Sequence, residues 1–369
     1  MALSEEDGLY GRTQGGTRLS KYNLGPSPSR LVPQHILHII GRFFRLLSVY
    51  AAYEYLAGTD GSVVIFMFFC FLPAACIFLL FQRPWHGRAL TNNQVIPSVI
   101  NGGVMALGFV LWGRGLRACG PVRAILAEYT GAVLGTVSAL IMGRSRQKWR
   151  KIGGLCAMLS AFYFLSEGWA MSTYSPFSYK GSSISDDGAF EEGHVGLRTM
   201  ITPILAGLLL VLRRVIARRV ALKSQAKKRL HALTVASAVC FLFPVTMVQF
   251  AIGSQKAIHG SHGSWAYLST IIFGIFLNFY VDTYVEERLH VSAASPLHLA
   301  VTGSCIIVLE LLYGMDFSVL GFLICASILG IGMFEATSVE RVRRESDELP
   351  GFADSHSEEA SLDLSPLPS

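Results

Sequence analysis

The sequence predicts an all-α integral membrane protein with about ten transmembrane helices. Hydrophobic residues make up 51% and charged residues 15% of the 369-residue chain, and the mean hydropathy is +0.45. In an average soluble domain, roughly a quarter of the residues are charged. The apolar residues are gathered in blocks of about 18 to 25, the length that an α-helix needs to cross about 30 Å of hydrocarbon. Most of the chain is therefore expected to lie in lipid.

The apolar blocks divide the chain into three regions. Residues 1–34 are polar and are expected to form a cytosolic N-terminal tail. Residues 338–369 are rich in Ser, Pro and acidic residues and are expected to form a disordered cytosolic C-terminal tail. Residues 35–337 form the predicted membrane domain, whose ten helices are placed at about 35–57, 62–81, 95–114, 121–142, 152–169, 197–215, 230–252, 264–285, 295–313 and 318–337.

The distribution of lysine and arginine predicts that both termini lie in the cytosol. With this orientation, cytosolic segments carry 23 of the 31 basic residues and the opposite side carries 6, while Arg42 and Arg45 lie within the first span. Such an excess is typical of the cytosolic side of a membrane protein. The net charge of +6 therefore belongs to a few loops, so membrane lipid is the expected contact and nucleic acid is not an expected partner.

Two dense basic stretches follow the fourth and sixth predicted spans. We interpret them as cytosolic topology determinants, and their alternative role is binding of anionic lipid at the cytosolic leaflet. The residues concerned are Arg144, Arg146, Lys148, Arg150, Lys151, Arg213, Arg214, Arg218, Arg219, Lys227, Lys228 and Arg229.

Similar helix openings recur in the two halves of the membrane domain. Cys119-Gly120-Pro121 precedes one helix and Ser295-Pro296 opens another, while Gly153-Gly154 and Leu320-Gly321 open the helix that follows in each half. This rhythm resembles the drug/metabolite transporter superfamily. The resemblance implies two inverted five-helix repeats, at about 35–169 and 197–337, which is an arrangement typical of secondary transporters.

An ionisable residue at the centre of a bilayer costs about 2.5 to 3.5 kcal/mol on insertion scales. Such a residue is therefore a candidate for a functional role only if it lies far from the ends of its span. Arg42, Arg45 and Glu310 are placed near span ends, where long side chains can reach water. Glu128 lies about seven residues inside the fourth span, and Asn278 lies near the middle of the eighth. Both residues are expected to line one cavity between the repeats, or else to form interhelical hydrogen bonds that hold the bundle together.

The sequence offers neither a metal centre nor an enzyme signature. A zinc site requires three or four converging Cys, His, Asp or Glu ligands, and no span carries two of them at helical spacing deep in the membrane. His259 and His262 lie in a Gly/Ser-rich stretch and are expected to be solvated. The motifs GxGxxG, HExxH and GxSxG and the Walker loop are missing. We therefore expect no resident metal, no other cofactor and no enzymatic activity.

Five short motifs carry a closer resemblance. They are Arg18-Leu19-Ser20-Lys21-Tyr22, Phe81-Gln82-Arg83-Pro84-Trp85, Cys119-Gly120-Pro121-Val122-Arg123, Lys228-Arg229-Leu230-His231-Ala232-Leu233 and Phe279-Tyr280-Val281-Asp282-Thr283. In this order they are similar to the N-terminal membrane region of the large secretory-pathway zinc transporters of the cation diffusion facilitator family. The paired His and Asp zinc ligands of that family's efflux domain do not occur here.

The resemblance implies a Golgi or other secretory-membrane module that supports zinc transport through an efflux partner. Zinc would then be a transported ion only, and the chain is expected to form a hetero- or homo-oligomer. The alternative is an autonomous carrier of the drug/metabolite type, for example for a nucleotide sugar. In that case Arg114, Arg117, Arg123 and Glu128 would lie at its entrance and cavity, and the candidate cavity residues are Glu128, Asn278 and Arg123. A membrane scaffold without a transport role is the third interpretation.

Overall fold

The computed structural model describes residues 28–58, 61–85, 90–141, 148–176, 196–221, 227–252, 261–281 and 295–347. Every regular element in these ranges is a helix, and α9 is a π-helix that directly continues α8. The helices are α1 Pro28–Gly58, α2 Val63–Gln82, α3 Asn92–Ala127, α4 Thr130–Ile141, α5 Lys148–Ser166, α6 Leu197–Ala221, α7 Lys227–Ala251, α8 Ser261–Ser269, α9 Thr270–Leu277, α10 Pro296–Tyr313 and α11 Val319–Asp347.

Eight helices in the described ranges are long and apolar enough to cross a membrane. They are α1, α2, α3, α6, α7, α10, α11 and the combined segment Gly263–Val281, which contains α9 and most of α8. The prediction of an all-α, multi-pass membrane protein is confirmed at this level.

The predicted fourth and fifth spans differ from the other eight. Residues predicted to form the fourth span are divided between the end of α3 and the 12-residue helix α4, with a turn at Glu128 and Tyr129 between them. The fifth corresponds to α5, which has 19 residues but carries Lys148, Arg150 and Lys151 in its first turn. Neither helix alone therefore qualifies as a span by length and composition.

Several predicted boundaries are wrong. The loop predicted between the third and fourth spans is helical up to Gly120, where a non-helical glycine conformation is followed by Pro121, which cannot donate a helix hydrogen bond. Helix α1 already begins at Pro28, within the predicted N-terminal tail, and α11 continues to Asp347, within the predicted disordered tail. Proline is well suited to a first helical turn, and charged residues 338–347 can extend a helix beyond its apolar part.

The predicted start and end of α10 are confirmed. Ser295 is the N-cap and its hydroxyl accepts a hydrogen bond from the backbone N–H of His298, while Pro296 occupies the first turn. Gly314 ends the helix in the left-handed conformation with φ of 59°, and its N–H donates to the carbonyl of Glu310. These residues are the ones that helix ends prefer.

The helices pack in a few extensive pairs. Helix α3 packs on α6 and α7, α2 on α7, α5 on α11, and α1 on α8, α9 and α10. At the α5–α11 contact two glycines face each other: a Cβ added to Gly154 would lie 2.8 Å from the Gly332 carbonyl oxygen, and one added to Gly332 would lie 2.7 Å from the Gly154 oxygen. Small residues at such crossings let helix backbones approach closely.

Candidate functional site: a polar cavity among the helices

The described helices enclose a cavity of about 780 Å³, a volume that includes the part open to the outside. Helices α1, α2, α3, α6 and α9, the turn after α3 and the C-cap of α9 supply its walls. The lining residues are Arg45, Ser48, Val49, Ala52, Met67, Cys70, Phe71, Phe109, Trp112, Glu128, Leu210, Arg213, Arg214, Thr270, Gly274, Ile275 and Asn278.

The charged and apolar parts of the lining are separated. Arginines come from the part of α1 that precedes Ser48 and from the part of α6 that follows Leu210. The walls contributed by α2 and α3, in contrast, are formed by Met67, Cys70, two phenylalanines and Trp112. The cavity is therefore amphipathic, with a cationic portion and an aromatic portion.

Glu128 forms an ion pair with Arg45 inside this cavity. The Nη2 atom of Arg45 lies 2.8 and 2.7 Å from the two carboxylate oxygens of Glu128. A second arginine, Arg42, has its Nη2 atom 3.8 Å from Glu128 Oε2. The three side chains are between 4% and 15% exposed. Buried carboxylates require such cationic partners, because desolvation of an unpaired charge is costly.

The backbone around Gly120 and Glu128 places the carboxylate at this point. Gly120 has φ of 80° and ψ of 171°, a conformation that is essentially restricted to glycine, and it bends α3 before Pro121. The helix resumes and ends at Ala127, and Glu128 is its C-cap. Discontinuous helices of this kind often form the central sites of secondary transporters.

A buried network of hydrogen bonds extends from this ion pair to α10. The Nε of Arg42 donates to Thr302 Oγ1 at 2.9 Å, and the Tyr129 hydroxyl also donates to this oxygen, at 2.8 Å. The same hydroxyl lies 2.9 Å from Nδ1 of His298. Tyr129 therefore connects the turn that carries Glu128 to α10.

The π-helix α9 supplies one wall of the cavity. Thr270, Gly274, Ile275 and its C-cap Asn278 line the cavity. Gly274 packs closely on α1, because an added Cβ would lie 3.2 Å from Ser48 Oγ. Short π-helical segments are frequently found at functional sites.

Two polar groups of the lining lack a hydrogen-bond partner among the described residues. They are the indole Nε1 of Trp112 and the hydroxyl of Thr270. Trp112 is only 8% exposed. Buried polar groups are normally hydrogen-bonded, so these two groups, whose atoms are inaccessible to solvent, are exceptions among the polar groups of the cavity wall.

The structure brings two of the three candidate cavity residues together. Glu128 and Asn278 both line the cavity, as expected if they share one site. Arg123 does not contribute to the lining: it is 4% exposed, and its Nη2 lies 2.9 Å from the sulfur of Met171. The carrier interpretation placed Arg114 and Arg117 at an entrance, and neither residue lines this cavity.

The expectation that Arg42, Arg45 and Glu310 reach water is wrong. The two arginines pair with Glu128, and Glu310 is 3% exposed and accepts a hydrogen bond of 2.7 Å from the Tyr50 hydroxyl. The depth of Arg45 was the missed signal: it lies nine residues after Ile36, where the apolar span begins, which is about 14 Å along a helix. No comparable sequence signal identified Trp112 or Thr270.

The basic residues interpreted as topology determinants occupy three kinds of position. Arg213 and Arg214 lie on α6 and line the cavity. Arg229 donates a hydrogen bond to the carbonyl of Pro84, which follows α2. Within the helices lie Lys148, Arg150 and Lys151 of α5, Arg218 and Arg219 of α6, and Lys227 and Lys228 of α7, whereas Arg144 and Arg146 lie outside the described residues.

No group of three His, Cys, Asp or Glu side chains that could hold a metal occurs among the described residues. His259 lies outside them, as does the side chain of His262. The cavity instead presents guanidinium groups and one carboxylate, groups that interact with polar or charged organic molecules. A comparison with known protein families finds no match for this chain.

Proposed function

We propose that the chain is a ten-helix module of two inverted five-helix repeats with both termini in the cytosol. The fourth span would comprise Pro121–Ala127 together with α4, and the fifth would be α5. The pairing of helices supports this arrangement. A two-fold axis that relates helices with the same rank in each repeat would pass between any such pair in contact, and the second and seventh spans, α2 and α7, and the fifth and tenth, α5 and α11, are in contact.

A further pair of contacts fits the same axis. The packing of the third span on the sixth should be repeated by the eighth on the first. Helix α3 packs on α6, and α8 and α9 pack on α1. The cavity would then lie between the two repeats, since both contribute to its lining.

We further propose that this module is related to the secretory-pathway zinc transporters and resides in a Golgi or other secretory membrane. It would support zinc transport into the lumen by associating with a cation-efflux partner that holds the zinc site. Neither a resident cofactor nor enzymatic chemistry is part of this proposal.

Contacts among the shared motifs carry the proposal. The guanidinium of Arg229 donates to the Pro84 carbonyl, which joins the motifs at the end of α2 and the start of α7. The ring of His231 stacks on Phe279 with centroids 3.9 Å apart, and both rings contact Phe78. Three motifs that are distant in sequence therefore form one packed cluster. This supports the interpretation that the motifs belong to one folded unit similar to that of the zinc transporters, and are not isolated matches.

Co-purification with a cation-efflux transporter tests the association. The chain should be captured with the tagged transporter from mild detergent and should increase zinc uptake into Golgi vesicles above that of the transporter alone. The chain alone should give no zinc uptake. Absence of both capture and increased uptake would contradict the proposal and favour a scaffold without a transport role.

The cavity supports a second candidate function, that of an autonomous solute carrier of the drug/metabolite type. The specific observation is the ion pair of Glu128, located at a break in a helix and facing a cavity that is lined from both halves of the chain. A carrier should move labelled solute into proteoliposomes and lose this activity in Glu128→Gln. An association module should show no uptake in this assay.

A further inference from the structure

The first turn of α5 gathers positive charge at the positive end of a helix dipole. It contains Lys148, Trp149, Arg150 and Lys151 and no acidic residue. Helix dipoles favour cations at the C-terminal end and anions at the N-terminal end, where backbone N–H groups also lack intrahelical partners. This turn therefore carries the wrong charge for its position unless an anion lies beside it.

Lys151 provides independent evidence for such an anion. It is 9% exposed, and it forms neither a hydrogen bond nor an ion pair within the described part of the chain. Its ammonium nitrogen is not one of the fully inaccessible polar atoms, so the covered part is the aliphatic stem. Glu335 of α11 packs next to Gly154, one turn further along α5, and forms no ion pair with Lys151. The lysine thus presents an unpaired charge at the surface of the molecule.

An exposed apolar strip runs along α5 from this turn. Trp149 is 85% exposed, and Ile152, Leu159 and Tyr163 are exposed as well. Spacings of three, seven and four residues place these side chains on one side of the helix. Lys148, which is also exposed, lies four residues before Ile152 and therefore stands at the end of the strip. Tryptophan in such a position is typical of the interface between membrane and water.

From these features we propose that the first turn of α5 binds the headgroup of an anionic phospholipid whose acyl chains lie along the apolar strip. Lys148 and Lys151 are three positions apart, so both ammonium groups can reach one headgroup phosphate. Basic residues next to a membrane span recognise anionic lipid in this way. A free phosphate ion would use the two lysines but not the strip, so the strip favours a lipid as the ligand.

This inference rests on the proposed function only in treating α5 as a membrane span. It requires neither the efflux partner nor solute transport. Binding is measured with the same lipid in both leaflets, so the result does not depend on the side of the membrane to which the first turn of α5 is exposed. A failure of the proposed topology and a failure of lipid binding are therefore separate results.

Fluorescence quenching tests the site in the full-length chain. The purified chain is placed in phosphatidylcholine nanodiscs that contain increasing fractions of phosphatidylserine with brominated acyl chains, which quench nearby tryptophan. We expect stronger quenching than with brominated phosphatidylcholine at the same fractions. The excess should disappear in Trp149→Phe, which identifies Trp149 among the five tryptophans of the chain. Inorganic phosphate should not reverse the quenching.

Lysine variants measure the contribution of each cation. Lys148→Gln and Lys151→Gln should each raise the phosphatidylserine fraction required for half-maximal quenching by about 5-fold, as expected for loss of one basic residue near an anionic surface. Lys148 is exposed, so Lys148→Gln keeps the inference testable if Lys151→Gln does not fold. The matched control Lys228→Gln removes an exposed lysine at the start of α7 and should behave as the wild type does.

The inference is overturned if brominated phosphatidylserine and brominated phosphatidylcholine quench the wild type equally. Unchanged quenching in Lys148→Gln would also overturn it, as would a loss equal to that in Lys228→Gln, which would indicate a general effect of charge. Reversal by inorganic phosphate would assign the lysines to a free ion and would contradict a lipid site.

Discussion

Single residues decide the electrostatics of the cavity, and the pair of Arg45 and Glu128 dominates. Its atoms are in contact at 2.7 and 2.8 Å, and its side chains are 15% and 10% exposed. A pair of this kind offers little net stability compared with apolar residues, whereas loss of one partner leaves an uncompensated charge. The pair is thus better explained by the polar site that it lines than by folding alone.

Substitution of Arg45 tests this view. Arg45→Met leaves Glu128 with Arg42 at 3.8 Å, and it should lower the free energy of unfolding by about 3 kcal/mol. The double variant Arg45→Met/Glu128→Leu removes both charges of the close pair and leaves Arg42 with its hydrogen bond to Thr302, so it should recover part of this loss. Denaturation of the purified variants in mild detergent measures both effects.

The exposed Arg114 provides the control for this series. Arg114→Met should change the free energy of unfolding by less than about 0.5 kcal/mol, as is usual for surface substitutions. If the double variant were no more stable than Arg45→Met alone, the contribution of the ion pair would be contradicted.

The candidate residues were found from sequence only where depth in a span was evident. Glu128 and Asn278 stood out because a polar side chain far from a span end must face protein or a cavity. Arg45 was instead assigned to a span end. Its partner Glu128 lies 83 positions away in the sequence, so no local pattern indicates their pairing. Which distant side chains meet is decided by tertiary packing, so neither this pairing nor the exclusion of Arg123 could follow from one sequence.

At the scale of elements, two irregular segments shape the cavity. Helix α3 bends at Gly120, directly before the fourth predicted span, which is itself interrupted at Glu128, and α9 adopts π-helical geometry. Interrupted and π-helical segments free backbone groups and change the direction of side chains. Both segments contribute residues to the cavity, so irregular helix geometry and the polar lining coincide.

The bend at Gly120 gives an element-scale prediction. Gly120→Ala forces a side chain into a backbone conformation that costs about 1 to 3 kcal/mol for residues other than glycine, and no neighbouring atom lies within 4 Å of its added Cβ. The loss of stability should therefore arise from backbone strain alone. Gly135→Ala adds a methyl group to a helical glycine with equally open surroundings and should not lower the unfolding temperature.

The contact of α5 with α11 gives a second element-scale prediction. Gly154→Ala places a methyl group 2.8 Å from the Gly332 carbonyl oxygen, so the helices must separate, at a cost of about 1 to 3 kcal/mol. The neighbouring Gly153 meets no atom within 4 Å, so Gly153→Ala is a matched control that should retain the wild-type unfolding temperature. Equal behaviour of the two variants would contradict this helix contact.

Element types were predictable to a greater extent than element boundaries. Long apolar blocks predicted the helices, and the local signals of Ser295-Pro296 and Gly314 predicted both ends of α10. The third span was predicted to end at residue 114, but α3 continues beyond it. Leu116, which was placed in a loop, is a buried residue of this helix. The π-helical geometry of α9 left no recognisable pattern in its apolar sequence.

At the scale of the whole molecule, the topology depends on whether α4 and α5 cross the membrane. Counting only the eight long apolar helices, or adding α4 and α5 as spans, leaves residue 185 on the same side of the membrane, because two added crossings cancel. The two arrangements differ only for residues 142–147. With ten spans this segment is cytosolic, together with the basic residues at the start of α5.

Cysteine labelling at Ser145 distinguishes these arrangements. The excess of basic residues, 23 against 6, includes five in 144–151, and moving them to the other side would reduce it to 18 against 11. In a variant lacking the seven native cysteines, Ser145→Cys should therefore react with an impermeant maleimide once the plasma membrane alone is permeabilised. Ser185→Cys should react only after the organelle membrane is dissolved. Protection of position 145 under the first condition would contradict ten spans, and with them the proposed two-fold relation by which the cavity would lie between the repeats.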